Sequence, residues 1–408
     1  MQFQRLTFEN QEGIKLSARL DLPMDEKPYA FAIFAHCFTC SKNLNAVVHI
    51  NRALARKGIA VLRFDFTGLG ESEGDFSETS FSSNVTDIIS AADYLRQHFD
   101  APKLLIGHSL GGAAVLQAAS SIPSCRAVAT IAAPASLTHL VSLFDSKKEA
   151  LETRGETMIT IGGRGFRIRK QFVEDIEGIR MEEKIRKLER PLLILHSPRD
   201  KVVGIENAQE IFEAARHPKS FVSLDQADHL LSNREESRYA GSVLAAWAEK
   251  YLGKGEKAGG QQNLRDNRVV VQTGKVGYQT EIMANGHSLI ADEPIPAGGA
   301  DTGPTPYEYL VAGLGACTSI TLRMYADRKK WPLEAIVVRL RHQKIHAGDC
   351  RECESGEGRI DHIEREIRLL GPLSREQRER LMTIADRCPV HRTLQGPVKI
   401  ETRQADEV

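Results

Sequence analysis

Unbroken apolar runs recur along the first part of the chain: AFAIFAH (30–36), IAVLRFDF (59–66), KLLIGHS (103–109), AVATIAAPA (127–135), PLLILHS (191–197) and FVSLDQ (221–226). Helix-compatible stretches fill the intervals. Continuous runs of this length suit strands buried on both faces, so the pattern predicts an α/β fold, a mostly parallel sheet covered by helices. Between 136 and 190 the rhythm breaks, which predicts an insert or small cap.

The segment 253–263, GKGEKAGGQQN, is rich in Gly and Lys and has a single alanine as its apolar content, the composition of a flexible connector. It predicts a division into residues 1–252 and 264–408. Beyond it, alternating stretches such as NRVVVQTGKVGYQTEI and AIVVRLRHQKIH stand beside two helical stretches, around 306–330 and 374–387. That order predicts an α+β domain with an antiparallel sheet.

At 408 residues the chain is long enough for two or three units. Its 54 basic and 54 acidic side chains cancel, so no net field draws it to nucleic acid or an anionic membrane, and neither partner is expected. The start MQFQRLTFENQEG is neither basic nor apolar, and no run reaches the roughly 18 apolar residues of a spanning helix. A cytoplasmic protein is expected. Seven scattered cysteines then favour free thiols, metal ligands or redox chemistry over structural disulfides.

KLLIGHSLGGAAVLQAA reads as a strand, a Gly107-x-Ser109-x-Gly111 turn and a helix. Such a turn lifts the Ser109 hydroxyl above the sheet, but an alcohol is a poor nucleophile at neutral pH without a neighbouring base. Downstream, PLLILHS leads to Asp200, and FVSLDQADHL contains His229. Asp225 and Asp228 are competing acids beside that histidine, while Asp65 is expected to hold the loop DFTGLGES together. Ser, Asp and His in this order resemble the α/β-hydrolase family over about residues 1–252. The resemblance implies Ser109 as nucleophile, His229 as general base and acid, and Asp200 as the carboxylate that orients the imidazole. It also implies an oxyanion hole from the N–H of Leu110 and that of Phe38, in a loop reading His36-Cys37-Phe38-Thr39 where the family commonly has His-Gly. Within the insert, GGRGFRIRKQF clusters Arg164, Arg167, Arg169 and Lys170, either to meet an anionic substrate group or as a solvated hairpin face.

In the second half, AGLGACTSITLRMYADRKKW (312–331) sets Cys317 in a helix that is apolar nearly all round, which predicts central burial. A lone cysteine there would serve as packing. A second motif, CPVHRTL, begins at Cys388. Together with GPTPYEYLVAGLGACTSITLRMYADRKKWPLE it resembles the OsmC and Ohr family of thiol peroxidases over roughly 264–408. The resemblance implies an intertwined homodimer, a peroxidatic thiolate at Cys317 and a resolving thiol at Cys388. Hydroperoxide-reducing relatives activate the thiol with an arginine and a glutamate. Lys275 stands in the arginine's place, and Glu308 is the nearest carboxylate, nine residues and about 2.5 helical turns from Cys317.

His342, His346, Cys350 and Cys353 offer two nitrogens and two sulfurs, which fit a zinc site, a redox-active cysteine pair or plain loop residues. No cofactor is called for. The expected function is cleavage of a carboxylic ester or thioester at Ser109, joined to reduction of an organic hydroperoxide by a dithiol at Cys317 and Cys388. The alternative keeps the hydrolase and makes the second domain a dimerisation or redox-sensing module without turnover.

Overall fold

The computed structural model describes residues 2–24, 27–37, 41–42, 44–137, 148–161, 164–253, 269–274, 277–284, 287–346 and 359–404. Two compact units emerge, Met1–Val270 with Met283–Ser288, and Val271–Ile282 with Leu289–Val408. Apart from Gly253, the expected connector lies outside the described residues.

The first unit is built on β1 (Gln2–Glu9), β2 (Lys15–Leu22), β3 (Ala30–Ala35), β4 (Ile59–Phe64), β5 (Leu104–His108), β6 (Ala127–Ile131), a separate hairpin of β7 (Glu156–Ile161) and β8 (Arg164–Arg169), then β9 (Leu192–His196) and β10 (Lys219–Ser223). Its eight-stranded sheet runs β1-β2-β4-β3-β5-β6-β9-β10. Pairing is parallel from β4 through β10 and antiparallel at β1–β2 and β2–β4.

Helices α1 (Asn45–Arg56), α2 (Phe81–His98), α3 (Leu110–Ala118), α4 (Lys148–Arg154), α5 (Lys170–Gly178), α6 (Met181–Arg186), α7 (Glu206–Ala214) and α8 (Arg234–Leu252) complete it. Successive residues of β3 enter opposite cores. Phe31, Ile33 and Ala35 join Ile88 and Leu95 of α2, while Ala32 and Phe34 join Ile50 and Leu54 of α1 and Leu244 of α8. This two-sided burial is why the strand reads as an unbroken apolar run. In β2, by contrast, Leu16, Ala18 and Leu20 are buried and Lys15, Ser17 and Arg19 are not, so continuous runs do not reveal it. Within the insert, Ile168, Phe172, Ile176 and Ile185 dock on the first of these cores.

Strands β11 (Val269–Thr273), β12 (Thr280–Ala284) and β13 (His287–Ala291) form a three-stranded sheet, and in the second unit β14 (Ala335–His346) pairs antiparallel with β15 (Arg359–Leu370). Helix α9 (Pro306–Lys329) precedes that hairpin; α10 (Arg375–Ala385) and α11 (Pro389–Gln395) follow it. Leu322 and Ala326 of α9 pack with Leu333, Leu369, Leu373, Leu381, Ile384 and Ala385 as the core. The expectation of a centrally buried helix needs correction. Of the whole of α9, buried positions are Leu314, Gly315, Thr318, Leu322 and Ala326, one face only, because within one chain no described element covers the other.

Candidate active sites

Ser109 sits between β5 and α3 with φ 54° and ψ −123°, a conformation costly for a residue with a side chain. Its N–H donates to the Ile131 carbonyl of β6 at 2.8 Å, and its carbonyl accepts from Gly112 at 2.8 Å. Glycine is required around it: a Cβ at Gly107 would run into the Gly111 carbonyl, and one at Gly111 into the carbonyls of Ala35 and His36.

Beyond β9, Asp200 accepts from the N–H groups of Val202 (2.8 Å) and Val203 (3.0 Å) through Oδ1. Its Oδ2 faces His229 Nδ1 at 2.7 Å, and His229 Nε2 lies 3.0 Å from Ser109 Oγ. With a carboxylate on Nδ1, the imidazole carries its proton there and turns a lone pair to the hydroxyl. Burial pushes the Asp200 carboxyl up, but the His229 ring and the two backbone donors more than offset it and hold it below the ordinary value. The rival acids are engaged elsewhere. Asp225 accepts from Ser223 Oγ at 2.5 Å, and Asp228 from the Ser232 N–H at 2.7 Å. Asp65 accepts from the Lys42 N–H (2.7 Å), Lys42 Nζ (2.5 Å) and the Glu71 N–H (3.0 Å), binding its loop as expected.

Leu110 opens α3, so its N–H has no acceptor within the helix and is free to meet an oxyanion. Phe38 lies outside the described residues. Cys37 is disulfide-bonded, which corrects the expectation of free thiols at this position. Cys125, Cys317 and Cys388 are free. Three histidines, His36, His108 and His196, are buried in the first unit. His36 Nδ1 lies 2.7 Å from the Cys37 carbonyl, His196 Nε2 lies 2.8 Å from that of Val203, and His108 Nε2 lies 2.7 Å from that of His229. Burial, reinforced by His229, pushes His108 down to about 3, so it is neutral.

The basic cluster of the insert is spread over surface pairs: Arg167 with Glu156 (3.9 Å), Arg169 with Glu78 (3.1 Å) and Lys170 with Glu174 (3.3 Å). These are the contacts of a solvated hairpin; the Arg164 side chain is not described.

In the second unit, Cys317 is half-buried on α9, and Cys388 is buried as the residue that caps α11. Cys388 Sγ accepts from the His391 N–H at 3.3 Å and lies 3.7 Å from Thr318 Oγ1, with the Cys317 thiol hydrogen-bonded beside it. Burial pushes the Cys388 thiol up, yet the His391 N–H, Thr318, Cys317 and the charge of Arg365 outweigh it and leave the thiol below its ordinary value. Arg365, on β15, was not anticipated, because nothing in EREIRLL distinguishes an inward arginine from a solvated one.

The proposed activating pair for Cys317 is not assembled among the described residues. Lys275 lies outside them. Glu308 is a helix cap: its Oε2 accepts from the Thr305 N–H at 2.7 Å, and its own N–H donates to Thr305 Oγ1 at 3.3 Å. A side chain held at the first turn of α9 cannot also reach a thiol about 2.5 turns on. No metal-holding group of His, Cys, Asp or Glu occurs among the described residues. His342 faces Asp361 at 2.8 Å and stacks on Tyr307 at 4.2 Å; the His346 side chain, Cys350 and Cys353 are not described.

Comparison with known proteins places both halves. The family described as serine aminopeptidase, S33, matches residues 28–163, and the OsmC-like protein family matches 298–403. The esterase domain of a Rhodothermus marinus protein is 53% identical, covers 62% of this chain and 100% of its own, and superposes with a TM-score of 0.53. Mouse palmitoyl-protein thioesterase ABHD10, a mitochondrial protein, is 26% identical over 205 residues, 48% of this chain and 67% of the mouse protein. Est1E from Butyrivibrio proteoclasticus, solved with ferulic acid, shares the fold at 21% identity and a TM-score of 0.52, over 61% of this chain and 100% of that one. The chain belongs to the α/β-hydrolase family, as an esterase- or thioesterase-like hydrolase that also carries an OsmC-like domain. No helix among the described residues is long and apolar enough to cross a membrane.

Proposed function

We propose that the first unit hydrolyses carboxylic esters or thioesters through an acyl-enzyme at Ser109. His229 takes the Ser109 proton as the oxygen attacks the acyl carbon and returns it to the departing alcohol or thiol. Asp200 keeps the imidazole in the needed tautomer, and water repeats the sequence to release the acid. The Leu110 N–H, with a second donor at Phe38, receives the oxyanion. One observation carries this reading: His229 bridges Ser109 Oγ at 3.0 Å and Asp200 Oδ2 at 2.7 Å. The esterase-domain and thioesterase relatives support the substrate class. Ser109→Ala should abolish turnover of a short p-nitrophenyl ester without loss of fold, and persistent turnover would assign the nucleophile elsewhere.

For the second unit the reading is reduction of an organic hydroperoxide. The Cys317 thiolate attacks the distal peroxide oxygen, the alcohol leaves with a proton from solvent, and Cys388 displaces water from the resulting sulfenic acid to close a disulfide that a dithiol reopens. The adjacency of the two thiols supports it. Leu310, Ile320 and Met324, exposed on the face of α9 that bears Cys317, support a homodimer through this helix. The capping role of Glu308 favours the alternative, a redox-sensing or dimerisation module without turnover. Dithiol-dependent hydroperoxide consumption compared between wild type and Cys317→Ser decides; equal rates reject peroxidase turnover.

A further inference from the structure

Thr318 lies between Arg365 and Cys388, and its hydrogen bonds can be counted. The hydroxyl donates its one proton to the Leu314 carbonyl at 2.8 Å and accepts from Arg365 Nη1 at 3.0 Å. One lone pair remains, and Cys388 Sγ stands 3.7 Å from it. While Cys388 is a thiol, its S–H can donate to that lone pair. Once Cys388 carries charge, the hydroxyl can rotate its proton from Leu314 to the sulfur, because Arg365 holds the oxygen in place. Arg365 is itself fixed by the Ala385 carbonyl (3.2 Å) and by Asp386 Oδ1 (2.6 Å). A second donor, the His391 N–H, already points at the same sulfur.

The two sulfurs are therefore unequal. Cys388 is fully buried and has two groups able to donate to a thiolate, while Cys317 is the half-buried member. Any hydroperoxide must reach Cys317 in whatever assembly the chain adopts, and a reductant can use the same opening.

We infer that Thr318, oriented by Arg365, is a positioning residue that makes Cys388 the departing sulfur when the Cys317–Cys388 disulfide is reduced, so that the dithiol enters at Cys317. The inference rests on the reading that these thiols form a disulfide. One reductant thiolate attacks Cys317 Sγ and bonds to it. The Cys317–Cys388 bond breaks, and its electron pair stays on Cys388, where Thr318 and His391 donate to it. The second reductant thiol loses its proton to solvent and attacks the reductant's first sulfur, expelling Cys317 as thiolate. The reductant leaves as a disulfide, two electrons poorer, and the protons it gave up re-protonate the cysteines. A better-stabilised thiolate leaves faster, which sets the direction.

The test uses the full chain oxidised with diamide, pulsed with mercaptoethanol, quenched with N-ethylmaleimide and mapped by peptide mass spectrometry. Mercaptoethanol on Cys317 with maleimide on Cys388 is expected, and the reverse pattern overturns the inference. Thr318→Val should slow dithiol reduction of the diamide-formed disulfide by about tenfold, and Thr318→Ser should restore it. Reduction of Thr318→Val at the wild-type rate also overturns the inference, provided its melting curve matches wild type. Should diamide close the disulfide where hydroperoxide does not, the peroxidase reading fails and the direction of reduction stands on the mapping alone. Closure by neither oxidant removes the pair and this inference with it.

Discussion

The ring of His108 donates from Nε2 to the main-chain carbonyl of His229 at 2.7 Å, so the residue next to Ser109 pins the loop that carries its partner. The two rings lie 5.2 Å apart. Because His108 is neutral, one nitrogen is a fixed donor, and the hydrogen bond holds the loop without adding charge beside His229. His108→Leu leaves the carbonyl unsatisfied and frees the loop. With a p-nitrophenyl ester, kcat should fall by about 10- to 100-fold with KM little changed, and His108→Gln, which keeps an N–H donor, should recover most of it. Unchanged kcat in the leucine variant would remove the role.

Acid should weaken the first unit well before its carboxylates titrate. His36, His108 and His196 are all lowered, first of all by burial, and His108 to about 3. In the unfolded chain each returns to about 6.5. Between the folded and unfolded values the unfolded chain binds protons the folded chain does not, so stability rises with pH there and is lost as pH falls below about 6.5. Each group contributes up to about 1.4 kcal/mol per pH unit across its window. Denaturant midpoints should drop steadily between about pH 7 and pH 5; a flat profile would mean these rings are protonated in the folded state.

Asp21 and Arg63 form a buried pair, Oδ2 to Nε at 2.8 Å, on the neighbouring strands β2 and β4. Asp21 also accepts from Asn51 Nδ2 at 3.0 Å, and Arg63 Nη1 donates to the Lys42 carbonyl. Removing Asp21 strands the Arg63 charge in the core, whereas Asp21 would keep Arg19 Nε at 2.9 Å if Arg63 were removed. Asp21→Ala should cost about 3–5 kcal/mol in equilibrium unfolding, and Asp21→Ala with Arg63→Met should recover much of it. A loss below about 1 kcal/mol for the single variant would show that water reaches the arginine.

What the sequence discloses follows from how local each signal is. The five strands from β3 to β9 in the main sheet are plain in their apolar runs because both faces are buried, and the turn at Ser109 is plain because Gly107 and Gly111 leave no room for a Cβ. Asp200 and His229 follow from chain order, and Asp200 ranks above Asp225 and Asp228 because an acid so close in sequence to a histidine seldom reaches behind its ring. The loop beyond β9 sets Asp200 Oδ2 2.7 Å from His229 Nδ1. Arg365 and Thr318 were illegible for a different reason. Their meeting depends on how the β14–β15 hairpin is placed against α9, with Arg365 reaching Thr318 at 3.0 Å, a tertiary fact that leaves no mark on either segment. Glu308 reads two ways in sequence because the capping box T-P-Y-E and an activating carboxylate are written with the same residue, and the distance of about 2.5 turns to Cys317 already weighs against the second.

The Glu308 assignment can be separated from its rival by two substitutions. Glutamine reproduces the acceptor in a capping box, whereas alanine does not. If Glu308 only caps α9, Glu308→Gln should melt like wild type and leave hydroperoxide consumption unchanged, while Glu308→Ala loses about 1 kcal/mol. A glutamine variant that is stable but inactive toward hydroperoxide would return the carboxylate to the chemistry and overturn the capping account.

Positions 310, 313, 317, 320 and 324 follow one another by three and four residues, so they share a stripe of α9. Leu310, Ile320 and Met324 on that stripe are 41%, 59% and 68% exposed, and Gly313 has nothing within 4 Å of where a Cβ would stand. Large apolar side chains so open along a 24-residue helix have a natural occupant in the same stripe of a second copy, since a symmetric pair buries both at once. Light scattering at micromolar concentration should therefore report a dimer for the full chain. Ile320→Glu with Met324→Lys should shift it to monomer while ester hydrolysis by the first unit is retained. A wild-type chain that is monomeric at that concentration would overturn the dimer.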